Sequence, residues 1–134
     1  MILVDANVFM YAAGAPHPNK APSLKFLHDA VRMSHQCCVN TEVLQEILHR
    51  YRAIGRWADG REVYALAKTI VPTVELITPE MMDETVRLMD AYPALMARDC
   101  VHAAHCILGG LEGICSFDHD LDTIAGVHRI EPTA

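Results

Sequence analysis

Short apolar runs recur along this chain, and between them apolar residues return at helical spacing. Residues 2–5 read as the first strand, with Ile2, Leu3 and Val4; further strands are expected at 37–39, 74–77 and 113–117, with a short fifth at 128–130. Runs this short, bounded by turn residues, read as strands. A short helix is expected through 8–11, then a loop at Gly14-Ala15-Pro16-His17-Pro18. A helix over 22–34 follows from apolar positions 24, 27, 30 and 31. The next starts near Thr41, a good N-cap residue, carries the stripe Val43, Leu44, Ile47, Leu48 and Tyr51, and stops near Gly55. Further helices are expected over 61–71, from Thr78-Pro79-Glu80 to about Ala91, and over 99–109 before Gly109-Gly110. Strands alternating with helices imply crossover units and a parallel sheet. Nearly continuous apolar strands imply burial on both faces. The expectation is an α/β fold: one domain over 1–134, a three-layer α/β/α sandwich with a mostly parallel central sheet.

The acids stand at telling places in this pattern. Asp5 ends the first run, Glu46 lies one turn inside the helix after the second, Asp99 opens the helix before the fourth, and Asp118 follows that run. In an open parallel sheet, ligands bind outside the carboxyl ends of the strands. Acids gathered there need protons or metal ions to neutralise them. Each acid also has an ordinary reading. Asp5 serves equally as a helix cap, and Asp99 suits any helix N-terminus. Glu46 competes with Glu42. At about 100° per residue Glu42 falls opposite the apolar stripe and Glu46 on its flank, which favours Glu46 for a crevice. Asp118, Asp120 and Asp122 share one acidic loop; strand-end geometry prefers Asp118, with the others as turn residues. Together the four acids suit a hard divalent cation, which takes carboxylate oxygen and activates water against a phosphodiester.

Composition narrows the classes. Half of the residues are apolar, so a substantial core is available and disorder is not expected. The formal charge of −6 argues against non-specific nucleic-acid binding through a broad basic face, but four active-site acids contribute to that sum. No apolar stretch is long enough to span a membrane, and the start lacks the features of a signal peptide. The five cysteines are odd in number and form no Cys-x-x-Cys pair, so buried reduced thiols and a cytoplasmic location are expected.

The motifs resemble those of the PIN domain, and most closely the VapC-type ribonuclease toxins of toxin–antitoxin pairs. Ile-Leu-Val-Asp-Ala-Asn-Val-Phe at 2–9 resembles the family's opening strand and first acid. Val-Leu-Gln-Glu-Ile-Leu-His-Arg at 43–50 resembles the second motif and places its acid at Glu46. Arg-Asp-Cys-Val-His-Ala-Ala at 98–104 and Ser-Phe-Asp-His-Asp-Leu at 116–121 resemble the third and fourth. Each motif is modest alone; four in order over nearly the whole chain are specific. The resemblance implies a Mg²⁺- or Mn²⁺-dependent endoribonuclease, usually a homodimer, inhibited by a cognate antitoxin, with Asp5, Glu46, Asp99 and Asp118 as catalytic metal ligands. It implies that Asn7 and Ser116 are polar helpers and Asp120 an auxiliary acid. Ser116 stands where many relatives carry Thr.

Other features carry less. His102, His105 and Cys106 suggest zinc, but further Cys or His partners at useful spacing are missing. His102 shares the side of its helix that carries Asp99 and could approach the site, but reads first as a polar surface residue. Arg50, Arg52 and Arg56 are weak candidates for RNA phosphate contact, or simply a solvated helix end. Met81, Met82, Leu88 and Met89 read as core or dimer surface, or as a surface for an antitoxin helix. Two alternatives remain: a PIN-like RNA- or protein-binding module without catalysis, and a related metal-dependent DNA nuclease or phosphatase.

Overall fold

The computed structural model describes residues 1–134, the side chain of Ser34 excepted. Five strands, β1 (Ile2–Val4), β2 (Cys37–Asn40), β3 (Val74–Glu75), β4 (Gly113–Cys115) and β5 (Arg129–Ile130), form one sheet in the order β3-β2-β1-β4-β5. Every pairing is parallel. Six helices connect them: α1 (Ala6–Ala13), α2 (Lys20–Arg32), α3 (Thr41–Ala53), α4 (Trp57–Ile70), α5 (Pro79–Ala91) and α6 (Ala97–Leu108). All residues of β2 and β4 are buried, which requires cover on both faces of the sheet. Helices α1 to α4 pack among themselves and α5 packs on α6, giving the expected sandwich. Among the described residues no helix is long and apolar enough to cross a membrane.

The topology decides where a ligand can sit. From β1 the chain proceeds outward through β2 and β3, then returns to the other side of β1 for β4 and β5. The switch point therefore lies between the carboxyl ends of β1 and β4. Asp5 and Ser116 are the residues that follow those two strands. The pairing of Val4 with Cys115, and the Asp5 amide donating to the Cys115 carbonyl at 3.0 Å, hold the two ends in step.

Local chemistry explains the boundaries, including those the sequence reading misplaced. The cap of α3 is Asn40, whose Oδ1 accepts from the Val43 amide at 2.8 Å, and not Thr41. Thr41 Oγ1 instead accepts from the Ile77 amide at 3.2 Å. Helix α4 begins at Trp57, four residues before the expected start, and runs through Gly60. A Cβ at Gly60 would stand 2.5 Å from Tyr51 Cβ, so the glycine lets α4 approach α3. Thr78 caps α5 as expected, accepting from the Met81 amide at 3.2 Å, with Pro79 in its first turn. Strand β3 stops at Glu75, two residues short of the expected run. All five cysteines are buried and unpaired by disulfides, and burial raises the Cys38 and Cys106 thiols to about 12. Inert packing thiols fit that chemistry.

Candidate metal centre

Asp5 sits where β1 becomes α1, and its two carboxylate oxygens have separate tasks. Oδ1 accepts from the Ala6 amide at 2.7 Å and so caps α1. Oδ2 accepts from Ser116 Oγ at 2.6 Å and, at 3.4 Å, from Asn7 Nδ2. The cap reading and the strand-end reading are therefore compatible in one residue. Ser116, at 0 % exposure, uses its whole hydroxyl: it donates to Asp5 and accepts from Asn7 Nδ2 at 3.1 Å and the Asp118 amide at 3.0 Å. Asn7 and Ser116 thus link the end of β1 to the loop that carries Asp118.

Two clusters of ligand atoms form around this switch point. One joins Asp5, Glu46 and His102; the other joins Asp99, Asp118 and Asp120. Within each, one potential ligand atom per residue lies within 4.8 Å of the others. The clusters feel each other, because the charge of Asp5 adds to those acting on Asp99. Burial, then the charge and hydrogen bond of Asp118, then Asp120 and Asp5, push Asp99 from 3.8 up to about 7. Burial also raises Asp5, with Glu46 adding to the effect, while His102, Ser116 and the Ala6 amide oppose it. Acids this close hold protons near neutrality unless a cation replaces them. The carboxylates of the two clusters offer only oxygen, and Glu46 Oε2 is buried without a hydrogen-bond partner. Both observations fit a hard divalent ion such as Mg²⁺ or Mn²⁺.

His102 corrects the sequence reading most sharply. It is buried, not a surface residue, with Nε2 3.7 Å from Asp5 Oδ1 and 3.9 Å from Glu46 Oε2. Burial disfavours its charged ring, but the Glu46 and Asp5 carboxylates outweigh that and raise its pKa. At these distances the influence is one of charge, since a hydrogen bond needs a closer approach. Cys100 to Cys106 are buried without a break, so no face of that stretch meets water and a polar residue there is enclosed.

Arg98, which opens the motif at 98–104, supports Glu46. Its Nη1 donates to Glu46 Oε1 at 3.0 Å, and its Nε lies 3.8 Å from Glu42 Oε1. Glu46 therefore faces the acid cluster and Glu42 stands farther along the same guanidinium. A cleft of about 550 Å³ opens beside Glu46 and is lined by Asn7, Tyr11, Arg50, Arg56 and Arg98, among others. Arg50 and Arg56 thus border the site, whereas Arg52 stacks over Trp57 at 4.7 Å. Arg129 is a second unforeseen contributor. It bonds Asp122 at 2.8 and 3.1 Å and the Ser116 carbonyl at 3.0 Å, tying the 118–123 segment to β5.

The PIN domain family model matches residues 2–127. The chain belongs to the PIN-domain family. A VapC ribonuclease of Mycobacterium bovis is 36% identical over 134 residues, covering 97% of this chain and 99% of that protein. Ribonuclease VapC13 of Mycobacterium tuberculosis matches equally, and ribonuclease VapC23 of the same species is 35% identical over 124 residues, 90% of this chain and 95% of its own. Among solved structures, the M. tuberculosis toxin VapC20, described as cleaving the sarcin–ricin loop, superposes with a TM-score of 0.76. It covers 95% of this chain and 98% of its own at 15% identity, so that likeness speaks for the PIN fold alone.

Proposed function

We propose that this PIN domain is a metal-dependent endoribonuclease and the toxin of a toxin–antitoxin pair. The observation that carries the reading is the convergence of Asp5, Glu46, Asp99 and Asp118, from four separate segments, on the switch point of a chain whose relatives are named ribonucleases. These four residues would hold Mg²⁺ or Mn²⁺, with Asp120 as an auxiliary acid. When bound, such an ion lowers the pKa of water and offsets charge on the phosphate oxygens.

The chain's own residues do the rest. Ser116 and Asn7 fix the Asp5 carboxylate, and the Asp118 amide is fixed by the same hydroxyl. Asp99 holds a proton near neutrality and gives it up when a cation takes over the neutralising charge. Arg50, Arg56 and Arg98 line the cleft beside Glu46, where they can pair with the phosphates that flank the scissile bond. Cations confined to one cleft explain how a chain of charge −6 could take a polyanion. An antitoxin has an apolar surface to cover: a groove of about 290 Å³ between α1, α2 and α4, where Leu24, Val31 and Leu66 are exposed. A second copy would find Met82, Val86 and Met89 exposed on α5, while Leu88 is buried in the core.

The direct test is cleavage of total cellular RNA by purified, antitoxin-free protein with Mg²⁺ or Mn²⁺ against EDTA, beside matched DNA. Discrete RNA fragments that need the metal are expected, and Arg50→Ala with Arg56→Ala should weaken cleavage and its salt dependence. Cutting of DNA in preference to RNA would overturn the ribonuclease reading, and no nucleic-acid cleavage in any metal would favour a binding module.

A further inference from the structure

Beneath the acid site lies a polar network that the mechanism above does not use. Asn40, His102 and His105 are buried, at 0 %, 2 % and 2 % exposure. The Asn40 amide has a fixed orientation, because its Oδ1 accepts from the Val43 amide at 2.8 Å to cap α3. Its Nδ2 lies 3.2 Å from His102 Nδ1 and 3.1 Å from His105 Nδ1. An amide nitrogen carries two hydrogens and accepts nothing, so each hydrogen goes to one ring. Both Nδ1 atoms are then acceptors, so each ring is neutral with its proton on Nε2; at His102 this contact opposes the pull of the carboxylates toward the charged ring, whose Nδ1 proton would face the Asn40 N–H. For His102, Nε2 lies 3.7 Å from Asp5 Oδ1 and 3.9 Å from Glu46 Oε2. Among the described residues, neither His102 Nε2 nor Glu46 Oε2 has a hydrogen-bond partner.

We propose that His102 is a positioning residue: Asn40 locks it as the Nε2–H tautomer, which sets the positive N–H edge of the ring against the Asp5 and Glu46 carboxylates and keeps the ring from being a metal ligand. The inference rests on the reading of Asp5 and Glu46 as cation ligands. The competing role is ligation through Nε2, and Asp5, Glu46 and His102 are close enough together for it. Ligation needs a lone pair on Nε2 and therefore the proton on Nδ1. That proton would meet the Asn40 N–H head on. Turning the amide over would remove the clash but would leave the Val43 amide without its cap. The cap of α3 thus sets the tautomer, and the tautomer sets what faces the acids. Partners that orient metal-binding carboxylates in this way typically change metal affinity by about 10–100-fold when removed.

Two measurements decide it. Long-range ¹H–¹⁵N NMR of the imidazole nitrogens in EDTA-treated protein reads the tautomer without any metal, with His102→Gln assigning the signals. A protonated Nε2 and bare Nδ1 at His102 are expected; a proton on Nδ1 overturns the proposal. Calorimetric Mn²⁺ titration then compares wild type with His102→Leu, which has no donor, and His102→Gln, whose amide restores an N–H near the same place. The leucine variant should bind at least about 10-fold more weakly and the glutamine variant within about threefold of wild type. Unchanged affinity in the leucine variant, or an equal fall in both, would contradict positioning. Wild type that binds no Mn²⁺ would instead remove the cation reading, while the NMR spectrum would still settle the tautomer.

Discussion

Asp99 concentrates the repulsion in the site. Its folded-state pKa of about 7 stands well above the 3.8 of an ordinary aspartate, so the folded chain binds the extra proton. Stability from that proton is full below pH 4 and is lost as pH rises through 7. Asp99→Asn should therefore flatten the fall in stability between those limits. It should also stabilise the EDTA-treated protein at pH 8 by about 1–2 kcal/mol, once solvent screening of a half-buried group is allowed for. Urea denaturation of both proteins at pH 5 and pH 8 checks this; parallel pH dependences would contradict it. Ser116 makes the opposite kind of contribution. Ser116→Ala leaves Asp5 without its 2.6 Å donor and the Asp118 amide without its acceptor. A loss of about 1–3 kcal/mol in chemical denaturation, with weaker Mn²⁺ binding, is expected. A wild-type Mn²⁺ affinity in that variant would show that the hydroxyl does not orient the site.

At the scale of elements, the packing of α3 on α4 turns on Gly60. Helix propensity alone says that Gly60→Ala should stabilise α4 by about 1 kcal/mol. The added Cβ would meet Tyr51 Cβ at 2.5 Å, and overpacking of this kind costs about 1–3 kcal/mol. Packing wins, so the variant should melt lower than wild type; a higher melting temperature would mean that the two helices can part without loss. The same glycine explains why the sequence reading began α4 after it: a glycine looks like a boundary until its neighbour across the groove is known. Asn40 and Thr41 pose a similar problem. Both residue types cap helices, and only the end of β2 and the bond from Ile77 to Thr41 assign the role to Asn40. Where one signal dominated, as in Thr78-Pro79-Glu80, the start of the helix was legible.

At the scale of the molecule, the alternation of strands and helices was legible because β1, β2 and β4 open on apolar runs or small buried residues and the helices between carry an apolar period. The sheet order was not, since nothing local says that β1 lies between β2 and β4. That order is what brings Asp5 to Ser116 and Asp118. The acids themselves stood out because carboxylates at the ends of apolar runs are unusual. Their supports did not: Arg98 reaches Glu46 across 52 positions and Asn40 reaches His102 across 62, separations over which sequence periodicity carries no information.

The central claim is that four acids from distant segments form one cation site. The measurement that tests it most directly is calorimetric Mn²⁺ titration at pH 7 of wild type beside Asp5→Asn, Glu46→Gln, Asp99→Asn and Asp118→Asn. The account predicts that wild type binds with release of protons, because the raised pKa of Asp99 leaves it partly protonated there, and that each variant loses affinity by about tenfold or more. Wild type that fails to bind at millimolar Mn²⁺, or variants that all bind as it does, would contradict it.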